Sequence, residues 1–307
     1  MPRPTRRQVH INAPLSQVSI AYKNSFYIAE EVFPILTVQK QSDLYFTWDK
    51  EAWFRLRAGT RAPGDPAPEV DYGVSTASYI AVNYSLAKGV PDEIEANADE
   101  PIRPLVTATN FVTDGLMLSC EDRVATLVTA SGNWATASNP GTKWDVDSSD
   151  AWGDIDNLVH EVEGQIGRLV NTCVISRNAW QALRNHPDIV DRVKHTREGG
   201  RIEPTDFMGW FGFDKVLIGR ARKDTSEEGQ TASMTDVWGD MLWVGYVPNS
   251  AAIEEPAAGY GFRWQQRQIS NYRQDERHRN LIEGEEWMDE KITASDAGGI
   301  MSDVSSK

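Results

Sequence analysis

The sequence predicts an α+β chain, and three observations predict it. Leu105, Val112, Leu116, Cys120, Val124 and Leu127 repeat at helical spacing, which marks one long amphipathic helix. Residues 44–48 and 75–86 carry strand-forming side chains, with Ile80, Val82, Tyr84 and Leu86 at period two. Residues 154–193 read as helix, strand, helix, helix within one block.

Taken in order, residues 1–30 hold Arg3, Arg6 and Arg7 with early prolines and a weak apolar pattern. Such a segment is too polar to fold alone, so an extended arm that orders by draping over a neighbour is expected. Phe26, Ile28, Val32, Phe33, Ile35, Leu36 and Val38 then enter a core, and Pro34 prevents a long helix there. Residues 43–90 form an excursion: a strand, a tip RLRAGTRAPGDPAPEVDYG with Pro63, Pro66 and Pro68, and a return strand. A two-stranded ribbon alone in water is marginal, so this one must lean on another element or another subunit. Pro101 and Pro104 open the long helix, where a missing N–H does no harm.

Residues 133–153 read as a linker rich in Gly, Ser, Asn and Asp, with Asp154 as the cap of the following helix. That helix presents Ile155, Leu158, Val162, Ile166 and Leu169. Thr172, Cys173, Val174 and Ile175 form a buried strand, Ser176 caps a helix carrying Trp180 and Leu183, and Pro187 ends it. Ile189 and Val193 follow as an apolar pair. Residues 204–211 read as a short helix, 215–221 and 241–247 as strands flanking a polar loop at 222–236, and 262–269 as a returning strand.

The 307 residues suffice for a sizeable core, and 40% hydrophobic with 25% charged residues is ordinary for a globular chain. With 45 acidic against 31 basic residues the formal charge is −14, which argues against a coat held on nucleic acid by phosphate neutralisation. Cys120 and Cys173 sit far apart in apolar surroundings and are expected as core thiols in a reducing compartment. No apolar run reaches membrane-span length and no signal peptide is evident. Trp occurs 11 times. The charge-flanked Trp53, Trp264 and Trp287 suit an interface as well as a core.

His10, His160, His186, His195 and His278 form neither HExxH nor a zinc-type cluster, and GxGxxG, GxxxxGK[ST] and GxSxG are all missing. The sequence therefore assigns no catalytic, cofactor or metal residue. The nearest approach to a metal loop is DVDSSDAWGDID, where Asp145, Asp147 and Asp156 match calcium-loop positions but the required Gly is Asp150. An alternative reading, a soluble intracellular metal-dependent enzyme, rests on that Asp-rich loop. A second mixed segment interleaves Arg263, Arg267, Arg273, Arg277 and Arg279 with Trp264 and Tyr272. It suits single-stranded nucleic acid, or pairing with the acidic run 283–290 across a subunit contact, which the net charge favours.

The block VNTCVISRNAWQALRNHPDIVDRVK, residues 170–194, with its strand, AWQAL helix, HPDI break and RVK ending, resembles the major capsid proteins of tailed phages and related particles with the Hong Kong 97 fold. The charged run and small-residue turn near the C-terminus resemble them too. The resemblance implies an α+β Hong Kong 97 type capsid fold: an N-terminal arm at 1–30, an extended β-hairpin loop at 43–90 and an axial domain at 150–268. A peripheral domain would gather 31–42, 91–149 and 269–307, with a long spine helix at about 101–131. It further implies self-assembly as hexamers and pentamers into an icosahedral shell enclosing double-stranded DNA, as part of a virion put together in the host cytoplasm. A portal and a separate scaffolding protein are expected partners, a decoration protein is allowed for, and no membrane is involved. Some members crosslink a lysine to a neighbour's asparagine, but no local pattern assigns Lys50 or Lys88 to that role. Arg55, Arg57 and Arg61 with Trp53 as anchor are the residues expected to meet acidic groups on the adjacent subunit.

Overall fold

In the computed structural model, the described residues are 13–22, 24–47, 75–99, 102–193, 202–249 and 257–306, with isolated positions between 56 and 69. The longest element is α4 (Pro104–Thr129), whose 26 residues span about 39 Å at 1.5 Å each. Pro104 stands in its first turn, as expected. Val112, Leu116, Cys120, Val124 and Val128 are buried at four-residue steps, while Leu105 and Leu127 lie half-buried at the margins of the stripe. Thr109 and Thr113 share the buried face because each hydroxyl donates back to the carbonyl four residues earlier, at 2.9 and 2.7 Å.

Beneath α4 lies a four-stranded sheet ordered β1 (Ile35–Thr37), β11 (Gly259–Gln274), β12 (Arg279–Ile292) and β4 (Val82–Pro91). β11 and β12 are one long antiparallel hairpin, turning at His278 with a left-handed φ of 46°. Gly284 of β12 sits directly under the helix. A Cβ there would come within 2.6 Å of Val112 and 3.0 Å of Leu116, so close approach of helix and sheet requires glycine.

A second sheet runs β5 (Thr136–Ser138), β13 (Gly298–Ser302), β10 (Met241–Gly245), β6 (Thr172–Ser176) and β7 (Lys215–Gly219). β6 and β10 are buried throughout, the signature of central strands covered on both faces. Against them pack α5 (Ala151–Ile166), α6 (Arg177–Asn185), α7 (Pro187–Val193) and α8 (Pro204–Phe211). Ser176 caps α6 as expected, its Oγ accepting the Ala179 N–H at 3.3 Å, and it also accepts from Met241 N. Trp180, Leu183, Ile189 and Val193 are buried as the spacing requires.

Several expectations are corrected. The arm is not extended throughout: α1 (Ala13–Ala21) and α2 (Ala29–Val32) occupy residues within 13–32, and Ser16 exchanges hydrogen bonds with Ile269 of the same chain. Phe26 is exposed rather than in a core. The linker at 133–153 holds β5 and the buried Trp134 and Trp144. Asp150, not Asp154, caps α5, because its Oδ1 accepts the Gly153 N–H at 2.9 Å; Asp154 instead accepts from Trp144 Nε1. Leu169 is exposed, since Gly167 in the left-handed conformation ends α5 before it. The polar loop at 222–236 contains a small hairpin of β8 (Arg222–Asp224) and β9 (Met234–Asp236). The boundary expected at 268/269 bisects β11, and β13 completes the five-stranded sheet instead of returning to the four-stranded one.

The two sheets are joined around Glu121 on α4. Its buried carboxylate accepts from Ile28 N and Ala29 N at 2.9 and 2.7 Å and from Trp238 Nε1 at 2.6 Å. Burial pushes the carboxyl up from its usual range while the N–H donors oppose that rise. Replacing Glu121 with Leu would orphan these buried donors. The Glu121→Leu subunit should therefore lose about 3 kcal/mol or more of unfolding free energy, read from urea titrations of the unassembled chain.

Candidate subunit-interaction surface

The excursion is a ribbon of β2 (Ser42–Thr47) and β3 (Ser75–Ile80), antiparallel from Ser42 opposite Ile80 to Thr47 opposite Ser75. Its inner face is fixed by aromatics. Tyr79 stacks on Phe262 of β11 with ring centroids 4.6 Å apart and planes 6° from parallel, and Tyr45 tilts against the same ring at 5.0 Å. Tyr79 Oη donates to Lys40 O at 3.2 Å, Ala81 N to Gln41 O at 2.8 Å, and Ile80 N to Asp289 Oδ2 at 2.9 Å. The base of the ribbon is thus held to the four-stranded sheet.

The outer face has no such cover. Among the described residues Leu44, Phe46, Ile80 and Val82 are left 65, 50, 59 and 51% exposed. Ile80 and Val82 begin the expected period-two row on the exposed side, while Tyr84 and Leu86 lie beside α4, with Arg123 over the Tyr84 ring and Leu86 close to Gly115; Tyr79 and Ala81 point into the core. A contiguous apolar row of this kind marks a contact surface more often than isolated exposed side chains do. Leu56 in the tip is fully exposed, and Arg61 is exposed. Trp53, Arg55 and Arg57 lie outside the described residues.

Charges lock the platform under the ribbon. Arg123 of α4 reaches Glu290 with Nη2 at 2.7 Å and Nε at 3.0 Å, and its guanidinium lies 3.6 Å from the centre of the Tyr84 ring. Arg263 bridges Glu286 at 2.7 Å and Glu30 at 2.9 Å, while Arg267 approaches Glu286 at 3.1 Å. Tyr272 donates to Glu283 and Arg273 grips Asp92. The basic, aromatic segment and the acidic run therefore pair within one chain, as two strands of the β11–β12 hairpin. This corrects the expectation that they meet across a subunit contact. Trp264 and Trp287 form an edge-on pair at 5.1 Å on that hairpin and are half-buried in the single chain.

The remaining sequence candidates do not converge. Asp145, Asp147 and Asp156 are all exposed, and Asp145 accepts from Ser306 Oγ. Among the described residues no group of three or more His, Cys, Asp or Glu is arranged to hold a metal ion. His186 is buried, with Nε2 3.0 Å from Ser149 Oγ, and no carboxylate or other partner among the described residues meets its Nδ1. That pair lacks both an orienting group and an opening for substrate. Cys120 and Cys173 are buried free thiols, and burial pushes both up, for Cys120 with the Glu290 carboxylate as a further cause.

Known proteins show where this architecture recurs. No family model matches the chain. It is 26% identical over 234 residues to the major capsid protein of Pseudomonas phage JBD67, covering 75% of this chain and 74% of that one. To the major capsid protein of Burkholderia phage BcepMu it is 21% identical over 306 residues, 96% of each chain. Among solved structures, a phage-related protein from Bordetella bronchiseptica RB50 superposes with a TM-score of 0.79 at 24% identity, over 97% of this chain and 99% of that one. The capsid of cyanophage P-SCSP1u does so with a TM-score of 0.56 at 11% identity, over 90% and 88%. The resemblance to phage major capsid proteins is borne out, and the α+β fold is the Hong Kong 97 type. No helix among the described residues is long and apolar enough to cross a membrane.

The two faces of the ribbon should respond differently to truncation. Tyr79→Ala should cost the isolated subunit about 3 kcal/mol, because a packed ring is removed from a closed aromatic stack. The Leu44→Ser and Phe46→Ser changes should stay within about 0.5 kcal/mol, as surface substitutions do. Denaturant midpoints of the three variants would check this.

Proposed function

We propose that this chain is the major capsid protein of a tailed phage or related particle, self-assembling as hexamers and pentamers into an icosahedral shell that encloses double-stranded DNA. The observation that carries the reading is the ribbon: its inner face is fixed to its own chain while its outer apolar face stays exposed among the described residues. A neighbouring copy supplies that cover in every position of a closed shell. The curated relatives, both named major capsid protein, support the same role, and the role is structural rather than catalytic.

In this reading α4 is the spine helix, and the four-stranded sheet with α4 forms the peripheral domain. The ribbon at 42–80 is the extended loop, and the five-stranded sheet with α5 to α8 forms the axial domain, completed by β13 from the C-terminal end. Subunit contacts add up by repetition and need not be individually tight. A separate scaffolding protein and a portal are the partners in assembly, with a decoration protein as an optional outer addition. The net charge of −14 suits a wall that surrounds packaged DNA without adhering to it. Assembly takes place in the host cytoplasm and the product is the virion shell.

Electron microscopy with light scattering, on the chain expressed with and without its neighbouring genes, tests the reading: closed shells or hexameric rings support it, and a uniform small oligomer in every condition would sink it. Within it, Arg55, Arg57 and Arg61, with Trp53 as anchor, meet acidic groups of the adjacent subunit. Changing all three arginines to Glu should abolish shells while circular dichroism and the unfolding midpoint of the free subunit stay as in the parent. Shells at normal yield from that variant would remove these residues from the contact.

A further inference from the structure

A cleft of about 740 Å³ opens on the five-stranded-sheet side of the molecule, between α6, the end of β7 and the exposed ring of Phe26. Arg177, Gln181 and Arg184 line it from one face of α6 at successive turns, Arg220 closes it from the end of β7, and Trp180 contributes to its wall. None of these three arginines makes an ion pair among the described residues, although Arg123, Arg222, Arg263, Arg267 and Arg273 all do. A concentrated positive site in a chain of net charge −14 is a feature that solubility does not explain.

The matching negative feature is on the same chain. The β8–β9 hairpin is anchored at its base, by Arg222 to Asp236 at 2.7 Å and by Lys223 to Asp122 of α4 at 2.5 Å. Asp224 organises its loop by accepting from Ser226 N, Ser226 Oγ and Ser233 N. At the apex, Gln230 N donates to Glu227 O across a tight turn that places Gly229 at φ 89°, leaving Glu227 and Glu228 exposed. Neither carboxylate makes an ion pair among the described residues. Hairpin tip and cleft are both pre-formed, complementary in charge, and unjoined within one subunit.

We propose that the Glu227–Glu228 tip of one subunit seats in the Arg177–Arg184–Arg220 cleft of a second copy. The contact is head-to-tail, the geometry that closes into rings when the rotation allows. Guanidinium groups grip carboxylates in a planar, two-pronged fashion, which fixes register as well as attraction. A nucleic-acid duplex, whose major groove alone is about 12 Å wide, is poorly matched to a small concave site partly walled by Phe26, Trp180 and Ile218. The proposal rests on the shell reading above and names one of its contacts.

The test is a charge swap in the full-length chain under conditions where the parent assembles. Glu227→Arg with Glu228→Arg, and separately Arg177→Glu with Arg184→Glu and Arg220→Glu, should each lower the yield of shells or rings roughly tenfold or more. All five changes together should restore it to within about twofold, because the pair is then complementary in the opposite sense. Independently, Gln181→Cys with Glu228→Cys should give intersubunit disulfides in assembled particles, since the native thiols Cys120 and Cys173 are buried. Normal assembly of both reversed variants, with no crosslink from the cysteine pair, overturns the proposal and leaves the shell reading standing. Normal assembly of the cleft variant with loss of binding to a short single-stranded DNA probe also overturns it, in favour of a nucleic-acid site. A parent chain that never assembles overturns both.

Discussion

The structure depends on a buried carboxylate with no cation beside it among the described residues. Glu121 projects from the middle of α4 into a region where water cannot reach it, so its charge must be met by N–H donors from whatever packs there. Those donors come from two distant pieces of chain: the backbone opening α2, and the indole of Trp238 just ahead of β10. One side chain therefore fixes where the N-terminal segment crosses the long helix and where the five-stranded sheet begins. The arrangement is demanding because it is specific; a hydrophobic group at 121 would accept many packings, while the carboxylate accepts the one that satisfies it.

From that junction α4 acts as a shared beam. Its C-terminal third, from Cys120 to Val128, belongs to the core it shares with Trp238, Trp243 and Ile300, and Val112 and Leu116 press on Gly284 of the four-stranded sheet. The ion pairs of Arg123 with Glu290 and of Arg263 with Glu286 use acids on the same face of β12, four residues apart. They are largely removed from solvent and so are better regarded as fixing register than as net stabilisers. The ribbon inherits that register through Asp289, which holds Ile80, and through Phe262, on which Tyr45 and Tyr79 rest. The ribbon is thereby held at its root, while its outer side stays exposed among the described residues.

What the sequence disclosed and what it hid follow from how burial is patterned. α4, α5, α6, β6 and β10 were legible because each keeps one side, or both, continuously in the core, and their spacing records it. Trp134 and Trp144 were not, since a single large ring inserted from a polar stretch leaves no period. β13 was misplaced for a related reason: Gly298 and Gly299 are small because Trp134, Val162 and Leu158 lie over them, so the strand carries little apolar signal of its own. On the ribbon the alternation itself was clear, but both sides are apolar, Tyr45 and Tyr79 on one and Leu44, Phe46 and Ile80 on the other, and periodicity cannot tell core from contact. The opposite charges of β11 and β12 were read as seeking a neighbour. The tight turn from Asp275 to His278, which makes them adjacent strands, was the missing link.

The same accounting of charge separates internal from external partners. Most of the strongly held arginines sit on strands or helices whose opposite element supplies an acid, and these pairs close within the subunit. Arg177, Arg184 and Arg220 break that rule at a concave place, and Glu227 and Glu228 break it at a convex one. A chain that neutralises its buried charges internally but leaves two complementary exposed groups apart has set them where another copy can bring them together. Being head-to-tail, such a contact is indifferent to how many copies complete the ring, provided the rotation closes. That tolerance is what a subunit needs if it is to occupy both five-fold and six-fold positions of one shell, and an isologous patch, satisfied once two copies meet, could not supply it.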